Sequence, residues 1–248
     1  MNSNKGNEEI VERNKTIYEA LFKRIFDVVI SLIIIITFFW LYIVISIIVK
    51  IKIGSPIIFK QMRPGLNEII FPLYKFRTMT NDKDDKGELL PDELRLTDFG
   101  KWLRSTSLDE LPEIFNILNG TMSLIGPRPQ LVRDMVFMST EQRRRHVVRP
   151  GLSGLAQING RNLIKWEEKF KYDLKYIEKI TFLGDLKILF MTIIKAFIVR
   201  EGVSDGVLDT SEDYGDYLLR EGKVNREKYE QNQIKAKEIL ENRFNVTK

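Results

Sequence analysis

The 248-residue chain has no cysteine and a single histidine, His146. Without cysteine there are no disulfides, no thiolate zinc site and no cysteine nucleophile. One histidine excludes a multi-histidine metal site built from a single chain. His146 lies in RRRHVVRPG and reads as a surface residue. Neither G-x-x-x-x-G-K-[ST] nor G-x-G-x-x-G occurs, so the common nucleotide-binding loops are missing. Charge is absent from residues 28–49, VVISLIIIITFFWLYIVISIIV. As a helix those residues would extend about 33 Å, enough to cross a bilayer core. The run is too long and too far from the start for a cleavable signal, and KIKIGSP follows it instead of a small-residue cleavage site.

The rest of the composition is mildly basic, with 39 Lys and Arg against 34 Asp and Glu. Such a balance suits an anionic membrane surface or phosphorylated substrates. No RNA-type aromatic motif accompanies the basic residues, which argues against nucleic acid. Positive charge flanks the apolar run on both sides, with Lys15, Lys23 and Arg24 before it and Lys50, Lys52, Lys60 and Arg63 after it. Because positive flanks favour the cytoplasmic side, this symmetry points to a segment that dips into the bilayer and returns.

Beyond the run, PIIFKQMRPGLNEIIFPLYKFRTM from Pro56 onward predicts a small β-hairpin, with Pro64-Gly65 at the centre of a type II turn. TDFGKWLRS (97–105) and LDELPEIFNIL (108–118) predict short helices, and GLAQINGR (154–161) predicts an extended or looped segment. Trp166, Phe170, Leu174 and Ile177 have amphipathic-helix spacing, and residues 182–200 predict a helix lying in a membrane interface. The predicted class is α+β, mainly helical. It divides into an N-terminal segment (1–22), a membrane helix (23–54) that is re-entrant or spanning, a compact catalytic domain (55–204) and a charged tail (205–248), the last a loosely attached helix or disordered.

Candidate chemistry gathers at S-L-D-E-L-P (107–112). Ser107 and Glu110 fit a capping box, which accounts for Glu110 and leaves Asp109 without a task. A helix N-terminus would lower the Asp109 pKa and keep an ionised nucleophile there. Aspartate can attack phosphorus to form an acyl phosphate, and an adjacent glutamate can hold Mg²⁺ against diphosphate oxygens. Arginine precedes proline at Arg63, Arg128 and Arg149, and Arg128 stands between Pro127 and Pro129 on an unusually restricted backbone. Such arginines, with Arg104 and with Lys75 and Arg77 on one strand face, could bind phosphate. Arg143, Arg144 and Arg145 read as a solvated face or a lipid-headgroup contact. A rival carboxylate pair, Asp82 and Asp84, has the D-x-D form of metal-dependent glycosyltransferases that release UDP.

Ordered along the chain are FKRIFD, RPGLNE, YKFRTM, KGELLPDELRL, RSTSLDELPEIFNIL, MSLIGPRP, RPGLSGLAQINGR and FLGDLKI. This series resembles the small monotopic phosphoglycosyl transferases, or bacterial sugar transferases, over about residues 22–204. The resemblance implies transfer of a sugar-1-phosphate from a UDP-sugar to a polyprenyl (undecaprenyl) phosphate, with release of UMP. It implies Asp109 as nucleophile and Glu110 as ligand of a Mg²⁺ cofactor. Lys75, Arg104, Pro127, Arg128, Pro129 and Arg161 fall at positions associated with the donor. It also implies a bacterial inner membrane location with the catalytic domain on the cytoplasmic face. Downstream glycosyltransferases and a second copy of the chain stand as candidate protein partners. The family's membrane helix bends at a Ser-Pro step, whereas Phe39 and Trp40 occupy those positions here. Besides the D-x-D reading, a non-enzymatic envelope-assembly scaffold is the remaining alternative.

Overall fold

The structure is a computed structural model, and it describes residues 15–160, 164–195 and 212–246. After a π-helical turn (Tyr18–Phe22) comes α1 (Lys23–Lys52), thirty residues and so about 45 Å of helix. Among the described residues it is the one helix long and apolar enough to cross a membrane. It continues through Phe39 and Trp40, where no proline interrupts the hydrogen-bond ladder. Both of its ends are tied to the domain. Near the N-terminus, Lys23 Nζ donates to Ile125 O (3.0 Å) and pairs with Asp185 (2.5 Å), while Asp27 accepts from Ser123 Oγ and Leu124 N. Towards the other end, Tyr42 donates to Leu111 O, and Ile45 and Val49 pack with Phe76 and Leu103. Between these anchors Ile36, Thr37, Phe38, Phe39 and Trp40 are all exposed. Five consecutive residues exceed one helical turn, so every face of this stretch is exposed.

Strands β1 (Ile58–Pro64) and β2 (Ile70–Phe76) form the expected antiparallel hairpin, pairing Ile58 with Phe76 and Pro64 with Ile70. Its turn differs from the expected one. Gly65 has φ −111°, outside the left-handed region that the third residue of a type II turn requires, and Asn67 and Glu68 carry the positive φ values. Glu68 is held in that conformation by Arg143, with His146 Nδ1 3.4 Å away. Helices α2 (Asp92–Arg95) and α3 (Asp98–Ser105) follow the polar loop, then a 3₁₀ turn (Leu108–Glu110) and α4 (Glu113–Asn119). Thr97 caps α3 through Gly100 N. Arg24 closes the C-terminus of α4 on the Ile117 and Leu118 carbonyls, where a cation meets the negative end of the helix.

Strand β3 (Ser123–Ile125) pairs in parallel with β4 (Gly151–Ser153). The two chains meet so closely at Gly126 and Gly151 that a Cβ on Gly151 would lie 2.1 Å from Gly126 N. Helices α5 (Val132–Met135) and α6 (Thr140–Arg143) and a 3₁₀ turn (Arg144–Val147) lie between these strands. Residues read as extended or looped then include the single helical turn α7 (Leu155–Ile158), which is followed by α8 (Trp166–Glu178) and α9 (Phe182–Ile194). The main core joins Phe71, Leu73, Ile114, Ile117, Leu124, Tyr176 and Ile188, bringing hairpin, α4, β3, α8 and α9 together. Phe182, Leu183, Leu186, Phe190 and Ile193 of α9 remain exposed, as a helix at a membrane interface would leave them.

From residue 212 to 246 the C-terminal segment is mainly helical and docked, where its composition predicted a loosely attached helix or disorder. Tyr214 and Tyr217 of α10 (Tyr214–Arg220) pack on Trp166 and Phe170, and Ala236 of α11 (Arg226–Val246) packs on Ile70, Val132 and Met135. A few aromatic and small residues suffice because α5 and α8 already present apolar faces to them. His146 is buried as well, 4% exposed, because its 3₁₀ turn faces Glu68.

Candidate active site

The hairpin is registered on α4 by a buried side chain. Asn116 accepts from Tyr74 N (2.9 Å) and donates to Pro72 O (2.8 Å), satisfying backbone groups on either side of Leu73, two positions before Lys75. Lys75 consequently projects at the 3₁₀ turn, where its Nζ lies 2.7 Å from Glu110 Oε1 and 3.3 Å from Glu113 Oε1. From the GPRP loop after β3, Arg128 Nη2 reaches the same Glu110 oxygen at 2.5 Å. Pro127 and Pro129 are both buried and frame Arg128. Arg104 of α3 donates to Thr78 Oγ1 (3.1 Å) and sits close enough to Asp109 for each charge to stabilise the other. Lys75, Arg104, Pro127, Arg128 and Pro129 thus converge on Asp109 and Glu110. Arg161 lies outside the described residues.

The anticipated capping box does not form. Ser107 has φ 55° and ψ 19°, and its side chain makes no cap hydrogen bond, because an N-cap requires extended backbone at that residue. Glu110 is instead turned to Lys75 and Arg128. Other basic residues also diverge from expectation. Strand β2 ends at Phe76, and Arg77 leaves the Lys75 face to donate to Ser55 O (2.8 Å). Arg149 donates to Gly120 O (2.8 Å) beyond the end of α4. Arg63 does approach the site, bonding Gln61 Oε1 (2.6 Å) and Pro129 O (3.3 Å) beneath the GPRP loop. Arg145 is buried against Asp173 and has no solvent or lipid exposure.

Charge is distributed unequally over the carboxylates. Burial alone would raise Glu110, but Arg128 and Lys75 hold it well below the usual carboxylate range. Asp109 is 8% exposed and is pushed up to about 6 by burial and by the Glu110 charge, with Lys75, Arg104 and Arg128 opposing. The expected lowering by a helix end is absent, since the pair precedes α4 on a single 3₁₀ turn. Glu113, which the sequence reading missed, is pushed up to about 7 by burial and by Glu110. Its signal was present as a third acid one turn beyond the pair, D-E-x-x-E. Such a split leaves Glu110 a fixed anion, while Asp109 is ionised at neutral pH at a cost to folding.

Asp109 makes no hydrogen bond or ion pair among the described residues, whereas Glu110 Oε1 accepts two charge-assisted bonds. Glu110 Oε2 is likewise uncommitted among the described residues. Those residues hold no cluster of three or more His, Asp or Glu side chains suited to a metal. One uncommitted carboxylate oxygen is compatible with magnesium, which takes few protein carboxylates and completes its shell with other oxygens. The D-x-D pair is occupied locally: Asp84 Oδ1 accepts from Lys86 N and Glu88 N (2.9 Å each), and Asp82 accepts from Thr80 Oγ1, all in an exposed loop.

The sequence pattern of the family described as bacterial sugar transferase matches residues 18–199. An uncharacterised sugar transferase of Bacillus subtilis (strain 168), EpsL, is 53% identical over 156 residues, covering 63% of this chain and 77% of that protein. A UDP-glucose:undecaprenyl-phosphate glucose-1-phosphate transferase of Klebsiella pneumoniae is 43% identical over 188 residues, 72% of this chain but 40% of that protein. An undecaprenyl-phosphate galactose phosphotransferase of Salmonella typhimurium is 34% identical over 197 residues, 73% of this chain and 41% of its own length. With the family pattern covering well over half of its length, and the motifs of that pattern assembled around Asp109 and Glu110, the chain belongs to the bacterial sugar transferase family.

Proposed function

We propose that the chain transfers a sugar-1-phosphate from a UDP-sugar to a polyprenyl phosphate through a covalent intermediate on Asp109. The observation that carries this reading is Asp109, the one acid of the cluster without a partner among the described residues, set among three cations. An Asp109 oxygen attacks the phosphorus that bears the sugar, and the bond from that phosphorus to the bridging oxygen of UMP breaks. UMP departs with its new phosphate charge. A polyprenyl phosphate oxygen then attacks the same phosphorus, and the acyl phosphate bond breaks to restore the Asp109 carboxylate. Lys75, Arg104 and Arg128 offset the charge on the equatorial and leaving oxygens, and because they are already placed they need little reorganisation. Glu110 would hold a magnesium ion, which when bound would supply further neutralisation of the leaving group.

The same reading places the protein on the cytoplasmic face of a bacterial inner membrane. Docking of both ends of α1 on one domain supports a helix whose ends share one side of the bilayer, with the exposed Ile36–Trp40 stretch facing lipid. Polyprenyl phosphate is confined to that interface, beside the site. Incubating the protein with a panel of UDP-sugars and undecaprenyl phosphate is expected to release UMP. Mass spectrometry is expected to find the phosphosugar on Asp109. Release of UDP would favour a glycosyltransferase, and full turnover by Asp109→Asn would refute the covalent route.

A further inference from the structure

Arg128 stands on a loop whose two prolines offer no backbone N–H, so the loop is held chiefly through its carbonyls. Pro127 O accepts from Gly151 N (3.0 Å), Pro129 O accepts from Arg63 Nη1 (3.3 Å), and Arg128 O accepts from Arg145 Nη2 (2.7 Å). Arg145 is 2% exposed, and its Nε and Nη2 both donate to Asp173 Oδ2 of α8, at 2.9 and 2.7 Å. Its guanidinium also lies over the Phe170 ring, 5.9 Å from the centroid. A buried ion pair is a poor route to stability, because desolvating two charges cancels much of their attraction. Here Asp173 Oδ1 is also left without a partner among the described residues. An apolar pair of similar volume would hold these elements together as well. What it could not supply is the third bond, to the carbonyl of the residue that grips Glu110.

We propose that Arg145, oriented by Asp173, is a positioning residue for Arg128. The bond fixes the peptide plane between Arg128 and Pro129, and with it the direction in which the Arg128 side chain leaves the backbone toward Glu110 and the donor phosphates. This rests on the reading of Arg128 as a ligand of the donor diphosphate. Arg145 touches no substrate; it acts through Arg128.

The test is a double-mutant cycle on the full-length protein in detergent, read by UDP affinity in calorimetry and by thermal melting. UDP is the part common to every UDP-sugar donor. Arg145→Lys keeps the charge beside Asp173, but one ammonium cannot serve Asp173 and the Arg128 carbonyl with the same fork geometry. It is expected to weaken UDP binding about tenfold when Arg128 is present and less than about twofold in an Arg128→Lys background. Any loss of melting temperature is expected to be equal in both backgrounds. Should Arg145→Lys not fold, Asp173→Asn loosens the same guanidinium and should give a smaller UDP effect with the same dependence on Arg128. Wild-type UDP affinity in Arg145→Lys, or losses that multiply in the double variant, would overturn the inference while leaving Arg128 as a donor ligand. Unchanged UDP affinity in Arg128→Lys alone would overturn the reading beneath it as well.

Discussion

Replacing Asp109 with asparagine should make the protein both inactive and more stable. Asn fills the same volume but cannot form an acyl phosphate, so UMP release should fall on the order of 10³-fold or more. The stability gain follows from the sign of the pKa shift. The folded pKa of about 6 lies above the ordinary 3.8, so the fold disfavours the charged form. That cost is complete above pH 6, shrinks as pH falls through the interval, and vanishes below about 4, where folded and unfolded chains are both protonated. A shift of about two units corresponds to at most about 3 kcal/mol. In a chain of this size 1 kcal/mol moves the midpoint by about 2–4 °C, so Asp109→Asn should melt up to about 10 °C higher at pH 7.5. Thermal unfolding in detergent at pH 7.5 and pH 4.5 measures both arms, and the advantage should largely disappear at the lower pH. A variant melting at or below wild type at pH 7.5 would refute the electrostatic reasoning. In the wild type, kcat/KM should fall about tenfold per pH unit below 6, as the nucleophile takes up a proton.

Glu110→Gln removes the anion shared by Lys75 and Arg128, so the two cations face one another; about 2–3 kcal/mol of stability and more than 100-fold in turnover should be lost, by melting and UMP assays. Gly100→Ala puts a Cβ 2.0 Å from Thr78 O, which must push α3 away from the strand end; a cost of about 1–3 kcal/mol in melting should accompany a larger drop in activity through Arg104. Tyr214→Ala empties the pocket between Trp166 and Phe170 and should cost about 3 kcal/mol, and an unchanged melting curve would show that α10 is not docked in solution. Since the chain lacks cysteine, single cysteines at Ser3 and Ser55 should react with an impermeant maleimide from one and the same side of the membrane.

The hairpin, α3, α4 and α8 were legible because their apolar positions repeat with the period of the element that buries them. The acidic pair and its basic partners were legible as residue types in an ordered series of motifs. Other features were not. Three consecutive arginines look alike in sequence, yet Arg143 grips Glu68, Arg144 is exposed and Arg145 is enclosed against Asp173. Successive residues on a tight turn point in different directions, and only the packing of α8 decides which one is buried. That the C-terminal segment docks was not legible, because the faces that receive its few aromatic residues belong to helices far away in sequence. His146 was misread for the same reason: its partner Glu68 is on a hairpin turn 78 positions earlier.

By itself the sequence determined the long helix around the apolar run 28–49, the hairpin and the presence of an aspartate–glutamate pair amid arginine and lysine. Those properties depend on local composition and on spacing over a few residues. Tertiary structure alone decided which acid is free. Ser107 in a left-handed conformation cancels the local cap, and Lys75 and Arg128, brought in from a strand and a loop, both select Glu110. Asp109 is thereby left buried, without a partner among the described residues, and pushed up to about 6. The charge on a side chain depends on every dipole and ion within several ångströms, and those neighbours come from parts of the chain that only folding brings together.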